Sequence, residues 1–254
     1  MKKEITETIE FFIPSQGLDV RAYIDQPNPP EINTKAGRLR KQAIHHLGRY
    51  EWAALVLSNM NPGRILDVAC GAGYGSYLLA RSLPECQVVG GDYDIRAVEH
   101  ATENYGHLPN LTFRQLDIVT WKEGSDDTPI SSFDYIVSFD TIEHLLHREI
   151  ALINLCENLP DEGMLLFSTP CGKKENLLNP GWEHHKIEYS HRYLFNLMKR
   201  FFQKVMIPDN GSLPELAYWH DVINKGAQRY FLRGNPMVCT GPIRLGLDWP
   251  AGTS

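Results

Sequence analysis

Four aspartates stand where a ligand could be held: Asp67, Asp92, Asp117 and Asp140. Each closes a short run of β-forming residues. These are Ile65-Leu66-Asp67-Val68, Gln87 to Gly91 before Asp92, Leu111 to Leu116 before Asp117, and Phe133 to Phe139 before Asp140. The first run leads into a glycine turn, Cys70-Gly71-Ala72-Gly73-Tyr74-Gly75-Ser76. Its glycines allow a sharp backbone turn and close approach of a ligand. Any one acid reads equally well as a helix N-cap or a turn residue. Four at successive strand ends are harder to explain that way, because ligands of open α/β sheets bind beyond the carboxyl ends of the strands.

Spacing narrows the ligand. Asp92 follows Gly71 by about 20 residues, the separation at which an acid meets a ribose. Asp117 can accept from an exocyclic adenine amine. Asp67 precedes the glycine turn, a poor position for an acid facing a pyrophosphate. It suits a ligand with an ammonium or sulfonium group, held directly or through water. Together the acids describe an adenosine with a cationic amino-acid tail. A nicotinamide-dependent oxidoreductase would share the glycine turn and the ribose acid, but not Asp67 or the acid of the third strand.

A second group carries possible reaction chemistry. Asp140, Glu143 and His144 lie three and four residues apart, on one face of any helix that starts there. The segment Trp182-Glu183-His184-His185-Lys186-Ile187-Glu188-Tyr189 adds histidines, and His191 follows. A hydroxyl to be modified needs a base or a metal to lower its pKa. His144, His184, His185 and His191 are the candidate bases. An Asp/Glu/His/His set also suits Mg²⁺ or Mn²⁺. The plainer reading has Glu143 and His144 capping a helix and His185 closing a loop, with no metal. We take Asp140, His144 and His185 as the catalytic candidates and expect no metal.

The elements that must position these groups alternate. Apolar residues at helical spacing predict helices over 36–59, from Ser76, over 95–105, over 149–159 and from Tyr193 to Phe201. Strands fall between them, with further ones over 163–169, at Val205 and Ile207, and over 237–240. This order predicts a parallel, doubly wound α/β sheet. The last connection is short for a crossover, so the final strand is expected to be antiparallel. Residues 1–34 read as an N-terminal arm or lid, 35–254 as the ligand-binding domain, and about 208–235 as a substrate-side insertion containing a helix over 216–224. Arg49 or His46, at the end of the first helix, could reach a ligand carboxylate.

Composition excludes several classes. The 254 residues are 43% hydrophobic and 22% charged, ordinary for a globular protein. A formal net charge of −6 argues against a broad nucleic-acid-binding face. The five cysteines are scattered and form no CxxC pair, as in a reducing compartment. No signal peptide or membrane span is legible, and a cytoplasmic protein is expected.

These motifs carry a resemblance. Asp67 to Ser76, Val89 to Asp94, Leu116-Asp117-Ile118, Phe133 to Leu145 and Leu159 to Pro170 resemble class I S-adenosylmethionine-dependent methyltransferases, over about residues 45–205. His46 to Ala53 with the glycine turn looks like a subset associated with glycan or secondary-metabolite methylation. The resemblance implies S-adenosyl-L-methionine as cofactor, lined by Arg49, Asp67, Gly71, Gly73, Asp92, Tyr93, Asp117, Ile118 and Phe139. It implies a doubly wound, Rossmann-like α/β sheet of seven strands, mostly parallel with an antiparallel last strand, and methyl transfer, with O-methylation of a small molecule or glycan as the expected reaction. Two alternatives stay open. Glu143-His144 and His185 to Glu188 are similar to the metal site of small-RNA 3′-terminal 2′-O-methyltransferases, with departures at Asp140 and Ile187. A catalytically silent cofactor-binding partner protein would keep the same glycines and acids. Oligomeric state is open.

Overall fold

The structure is a computed structural model and describes residues 34–124, 128–172, 177–178, 185–206 and 236–244. The expected arm (apart from Thr34), the insertion at about 208–235, its helix and His184 lie outside them. The chain forms two compact units, Met1–Leu116 and Asp117–Ser254.

The first unit opens with helix α1, Lys35–Leu57. It ends where Ser58 Oγ and Asn59 Nδ2 both donate to the Leu55 carbonyl, satisfying an orphan acceptor of the last turn. Asn61-Pro62-Gly63 then turns the chain into β1, Arg64–Val68. Helix α2 (Tyr74–Ser82), β2 (Gln87–Asp92), α3 (Ile95–Tyr105) and β3 (Leu111–Asp117) follow. Strand β2 runs parallel to β1 and to β3. Apolar residues on both faces bury β1, as crossover helices require: Ile65, Leu66 and Val68 are fully buried, with Leu79 of α2 and Ala97 and Ala101 of α3.

The second unit has a short antiparallel pair, β4 (Lys122–Glu123) and β5 (Thr128–Pro129). Its main strands are β6 (Tyr135–Phe139) and β7 (Met164–Ser168), which pair in parallel around helix α4 (Arg148–Glu157). Helix α5 (His191–Phe201) leads directly into β11 (Phe202–Met206). The last strand, β12 (Met237–Pro242), is antiparallel to both β7 and β11. The described residues contain seven strands of five residues or more, all but the last in one direction within their units. That is the expected Rossmann-like class with an antiparallel end.

Two features depart from the sequence reading. A second small sheet, β8 (Cys171–Gly172), β9 (Leu177–Leu178) and β10 (Ile187–Ser190), orders β8-β10-β9. Strands of two residues carry no periodicity, so the sequence offers no signal for them. Where a helix from Asp140 would have put Asp140, Glu143 and His144 on one face, the chain makes a single 3₁₀ turn, Ile142–His144, and α4 begins at Arg148, one residue before the expected start. Glu143 and His144 therefore do not cap α4.

Glycine 73 is needed for packing as well as for turning. Its φ is +86°, and an added Cβ would stand 2.5 Å from Ala101 Cβ and 2.8 Å from the Phe113 ring. Gly73→Ala is therefore expected to lose about 1–3 kcal/mol to backbone strain and a similar amount to overpacking. Urea denaturation measures this; a loss below about 0.5 kcal/mol, within the ordinary scatter of surface substitutions, would contradict the packing account.

Candidate functional site

Along β1, β2 and β3 the acids do not end level. Asp67 of β1 lies opposite Gly90, two residues short of Asp92. Asp92 of β2 lies opposite Gln115, two residues short of Asp117. Each strand thus carries its acid two residues further along than its neighbour does. The register expected from sequence is replaced by a stagger, and burial follows it. Asp67 is completely buried, whereas Asp92 and Asp117 are half-buried.

Asp67 is braced by two hydroxyls. Tyr50 of α1 donates to Oδ1 at 3.1 Å, and Ser76 of α2 donates to Oδ2 at 2.6 Å. Burial is the main cause that lifts its pKa to about 7; the two hydrogen bonds act the other way. Gly75 makes the arrangement possible, because a Cβ there would fall 2.1 Å from the Tyr50 ring. Neither Tyr50 nor Ser76 was singled out from sequence, since nothing in the pattern says that a tyrosine on α1 reaches the first strand.

Asp92 separates two roles that sequence could not. Its Oδ1 accepts from the Asp94 amide and its Oδ2 from the Gly71 amide, both at 2.9 Å. Helix α3 is capped by Asp94, whose side chain accepts from the Arg96 amide. The bland capping reading belongs to Asp94, not to Asp92. The Arg96 hydrogen bond to Asp94 lowers that carboxyl's pKa, whereas burial raises Asp92's. Each Asp92 oxygen keeps a second lone pair for a ligand hydroxyl. Tyr93 beside it is 74% exposed, and Gln115 Nε2 donates to its carbonyl at 3.0 Å, fixing the loop.

Arg49 and His46 are buried in α1, about two turns before its end rather than at it. Arg49 donates to His46 Nδ1 at 2.7 Å. An arginine only donates, so Nδ1 is the acceptor and the imidazole proton sits on Nε2.

The second unit builds its site from the ends of β6 and β7. Asp117 Oδ1 accepts from the Val119 amide at 2.8 Å, and Asn154 of α4 donates to the carbonyls of Ile118 and Val119. Ile118 and Phe139 are buried. Asp140 holds φ +51°, a left-handed conformation that costs a non-glycine residue of order 1–3 kcal/mol. Its amide donates to the Ser168 carbonyl of β7. Ala69, at the end of β1 in the first unit, has φ +54°. Strain of this kind gathers at ligand clamps.

After Asp140 the 3₁₀ turn brings Glu143 and His144 against His185. Glu143 is fully buried, its Oε2 accepting from Thr169 Oγ1 at 2.7 Å. The Lys186 amide donates to the Glu143 carbonyl, which holds His185 beside the turn. The His144 and His185 rings meet edge to face with centroids 5.0 Å apart. His185 Nδ1 lies 2.8 Å from Glu188 Oε1. Side-chain atoms of Glu143, His144 and His185 all lie within 4.8 Å of one another, and Asp140 is not in that group. The sequence signal for the Glu188 contact is its three-residue spacing from His185.

Comparison with known proteins identifies the family. A family model described as a methyltransferase domain matches residues 61–217. The chain belongs to the S-adenosylmethionine-dependent methyltransferases. It is 30% identical, over 68% of its length, to the malonyl-acyl-carrier-protein O-methyltransferase of Bacillus cytotoxicus, and covers 58% of that protein. It is 29% identical, over 67% of its length, to phosphoethanolamine N-methyltransferase 1 of Triticum aestivum, and covers 31% of it. The chain thus spans less than two thirds of the first relative and about a third of the second. Among solved structures, coclaurine N-methyltransferase with N-methylheliamine and SAH superposes at a TM-score of 0.52 and 18% identity, covering 71% of this chain and 51% of that one. The O-methyltransferase of a Brevibacillus brevis trans-AT PKS multienzyme, with SAH, gives 0.51 and 14%, covering 80% and 68%. At these identities the structures attest the fold. S-adenosyl-L-methionine is the cofactor of the family. No helix among the described residues is long and apolar enough to cross a membrane.

The buried Asp67 makes stability depend on pH. Its folded pKa of about 7 exceeds the unfolded value of 3.8, so the folded state holds its proton longer. The contribution is therefore most favourable below the unfolded value and is lost as pH rises toward 7. Asp67→Asn is expected to flatten the fall in stability across that window, by up to about 1.4 kcal/mol per unit of pKa difference. Thermal melts at several pH values check it; parallel pH curves for both proteins would contradict it.

Proposed function

We propose that this protein transfers the methyl group of S-adenosylmethionine to a hydroxyl oxygen of a small molecule or sugar in the cytoplasm. The observation that carries the choice of oxygen is the Glu188–His185 pair standing edge-on to His144. A carboxylate on Nδ1 fixes the ring and leaves Nε2 as the proton acceptor, which an alcohol needs most because its pKa is far above neutral. Relatives with O- and N-methyltransferase names support methyl transfer in general and leave the acceptor atom to this argument. The net charge of −6 favours a small acceptor over RNA.

The cofactor-facing roles are carried over from the family resemblance and from the donors and acceptors each residue offers. Asp92 accepts the two ribose hydroxyls with its remaining lone pairs. Asp117 and Ile118 take the adenine, with Tyr93 and Phe139 as apolar walls. The backbone of Gly71 and Gly73 lies along the amino-acid tail, Arg49 meets its carboxylate, and Asp67 acts on its ammonium group from behind the turn. When bound, the cofactor supplies an electrophilic methyl on a sulfonium. The chain orients the acceptor against it through Asp140 and withdraws the hydroxyl proton through His185 and His144, since alignment and proton removal are what such a transfer needs.

Two measurements test this. Isothermal titration is expected to show S-adenosylmethionine binding that Asp92→Ala weakens at least tenfold, about 1.4 kcal/mol. Methyl transfer from labelled cofactor is to be followed on a panel of glycosides, phenols, alcohols and amines. Hydroxyl acceptors are expected to be used, and His185→Ala to lower kcat by about 10²–10⁴ while cofactor affinity stays within about threefold. Preferred use of amines, or an unchanged kcat in His185→Ala, would sink the hydroxyl reading.

A further inference from the structure

We infer that Glu143, His144 and His185 form a binding site for one divalent transition-metal ion of the Zn²⁺ or Mn²⁺ type. Each offers one ligand atom, and the three atoms lie within 4.8 Å of one another. Glu143 Oε1 and His144 Nε2 are 3.8 Å apart. Ligands at about 2.0–2.2 Å from a common ion stand about 3–3.5 Å from each other, so a movement of well under 1 Å closes this pair. Glu143 is fully buried and His185 nearly so, while the His144 side chain is 30% exposed and gives the ion a solvent-facing side.

The surroundings hold the ligand atoms in place. Glu188 Oε1 contacts His185 Nδ1 at 2.8 Å, so the ring presents Nε2 inward. A carboxylate behind a ligating histidine is the usual device that fixes tautomer and orientation. Thr169 donates to Glu143 Oε2 and leaves Oε1 as the atom facing the histidines. The Lys186 amide on the Glu143 carbonyl ties the two contributing segments together. An ion pair alone would need one histidine; two imidazoles and one carboxylate converging from both segments match the donor set of a three-ligand site with open positions. Two nitrogens in three donors favour a transition metal over Mg²⁺, which prefers oxygen.

The site's catalytic use rests on the hydroxyl reading above; its existence does not. On that reading an acceptor oxygen occupies an open position. The ion would lower that hydroxyl's pKa and the proton would pass to solvent water; with no ion bound, His185 Nε2 stays the proton acceptor described above.

The test uses the full chain, stripped with a chelator and dialysed. Titration with Zn²⁺, Mn²⁺ and Mg²⁺ is followed by calorimetry, and Co²⁺ loading by its visible absorption. About one equivalent of Zn²⁺ or Mn²⁺ is expected, with Mg²⁺ at least tenfold weaker and a Co²⁺ spectrum of low coordination number. Glu143→Gln and His185→Ala are expected to abolish it, and Glu188→Gln to weaken it about 10–100-fold. Cofactor titration of the stripped wild-type protein is run alongside. Retained S-adenosylmethionine binding with no metal uptake overturns the metal site and leaves the methyltransferase reading intact. Metal uptake unchanged in a folded His185→Ala protein also overturns it. Metal uptake in a protein that methylates amines would support the site and remove only its proposed use on a hydroxyl.

Discussion

A carboxylate with no solvent holds the first unit together. Asp67 lies at the centre of β1 packing, reached by Tyr50 from α1 and Ser76 from α2. An unpaired carboxylate in such a place would cost several kcal/mol, so its two hydroxyl partners are obligatory. Their geometry dictates much of what surrounds them. Gly75 must lack a side chain for the Tyr50 ring to pass, and Tyr50 stands edge-on to Tyr74 at 5.7 Å. The glycine turn is thus constrained from behind by packing, whatever faces it in front. Two of its glycines make room for protein: Gly73 for Ala101 and Phe113, Gly75 for Tyr50.

The second unit solves a different problem. It must turn sharply at the end of β6 and still present several polar side chains in one place. A left-handed Asp140 reverses the chain at once, and a 3₁₀ turn projects Glu143 and His144 within three residues. The eclipsed geometry of such a turn suits a short, fixed projection better than a long helix would. The loop before β10 then returns His185 to the same place, anchored by one backbone hydrogen bond from Lys186 to Glu143. Further along, the fully buried β7, Met164–Ser168, backs this arrangement with a strand that is apolar on both faces.

Much of the fold was legible because long, periodic segments announce themselves. Helix α3 was read over its full extent from Ile95 to Tyr105, since Ala97, Val98, Ala101 and Tyr105 repeat at helical spacing. The antiparallel last strand was expected too, but not for a reason that holds: about thirty residues separate Met206 of β11 from Met237 of β12, enough for a crossover. What failed to show was short or three-dimensional. Two-residue strands β8 and β9 leave no pattern, and i, i+3, i+4 spacing is shared by any helical turn, so Asp140, Glu143 and His144 could not show that their turn is a single 3₁₀ one. The acids were read as level, but parallel strands can be staggered by any register, and only pairing reveals that Asp67 ends two residues inside Asp92.

By itself the sequence determined the class of fold and the chemistry of the ligand. Strand–helix alternation and acids at strand ends are local patterns, and local patterns survive in one dimension. Tertiary structure decided which acid does what. It buried Asp67 behind two hydroxyls, gave the capping role to Asp94 and left Asp92 with lone pairs to offer. It also brought His185 to Glu143 and His144 across about forty residues of chain. Burial, hydrogen-bond partners and convergence depend on residues far apart in sequence, and only folding makes them neighbours.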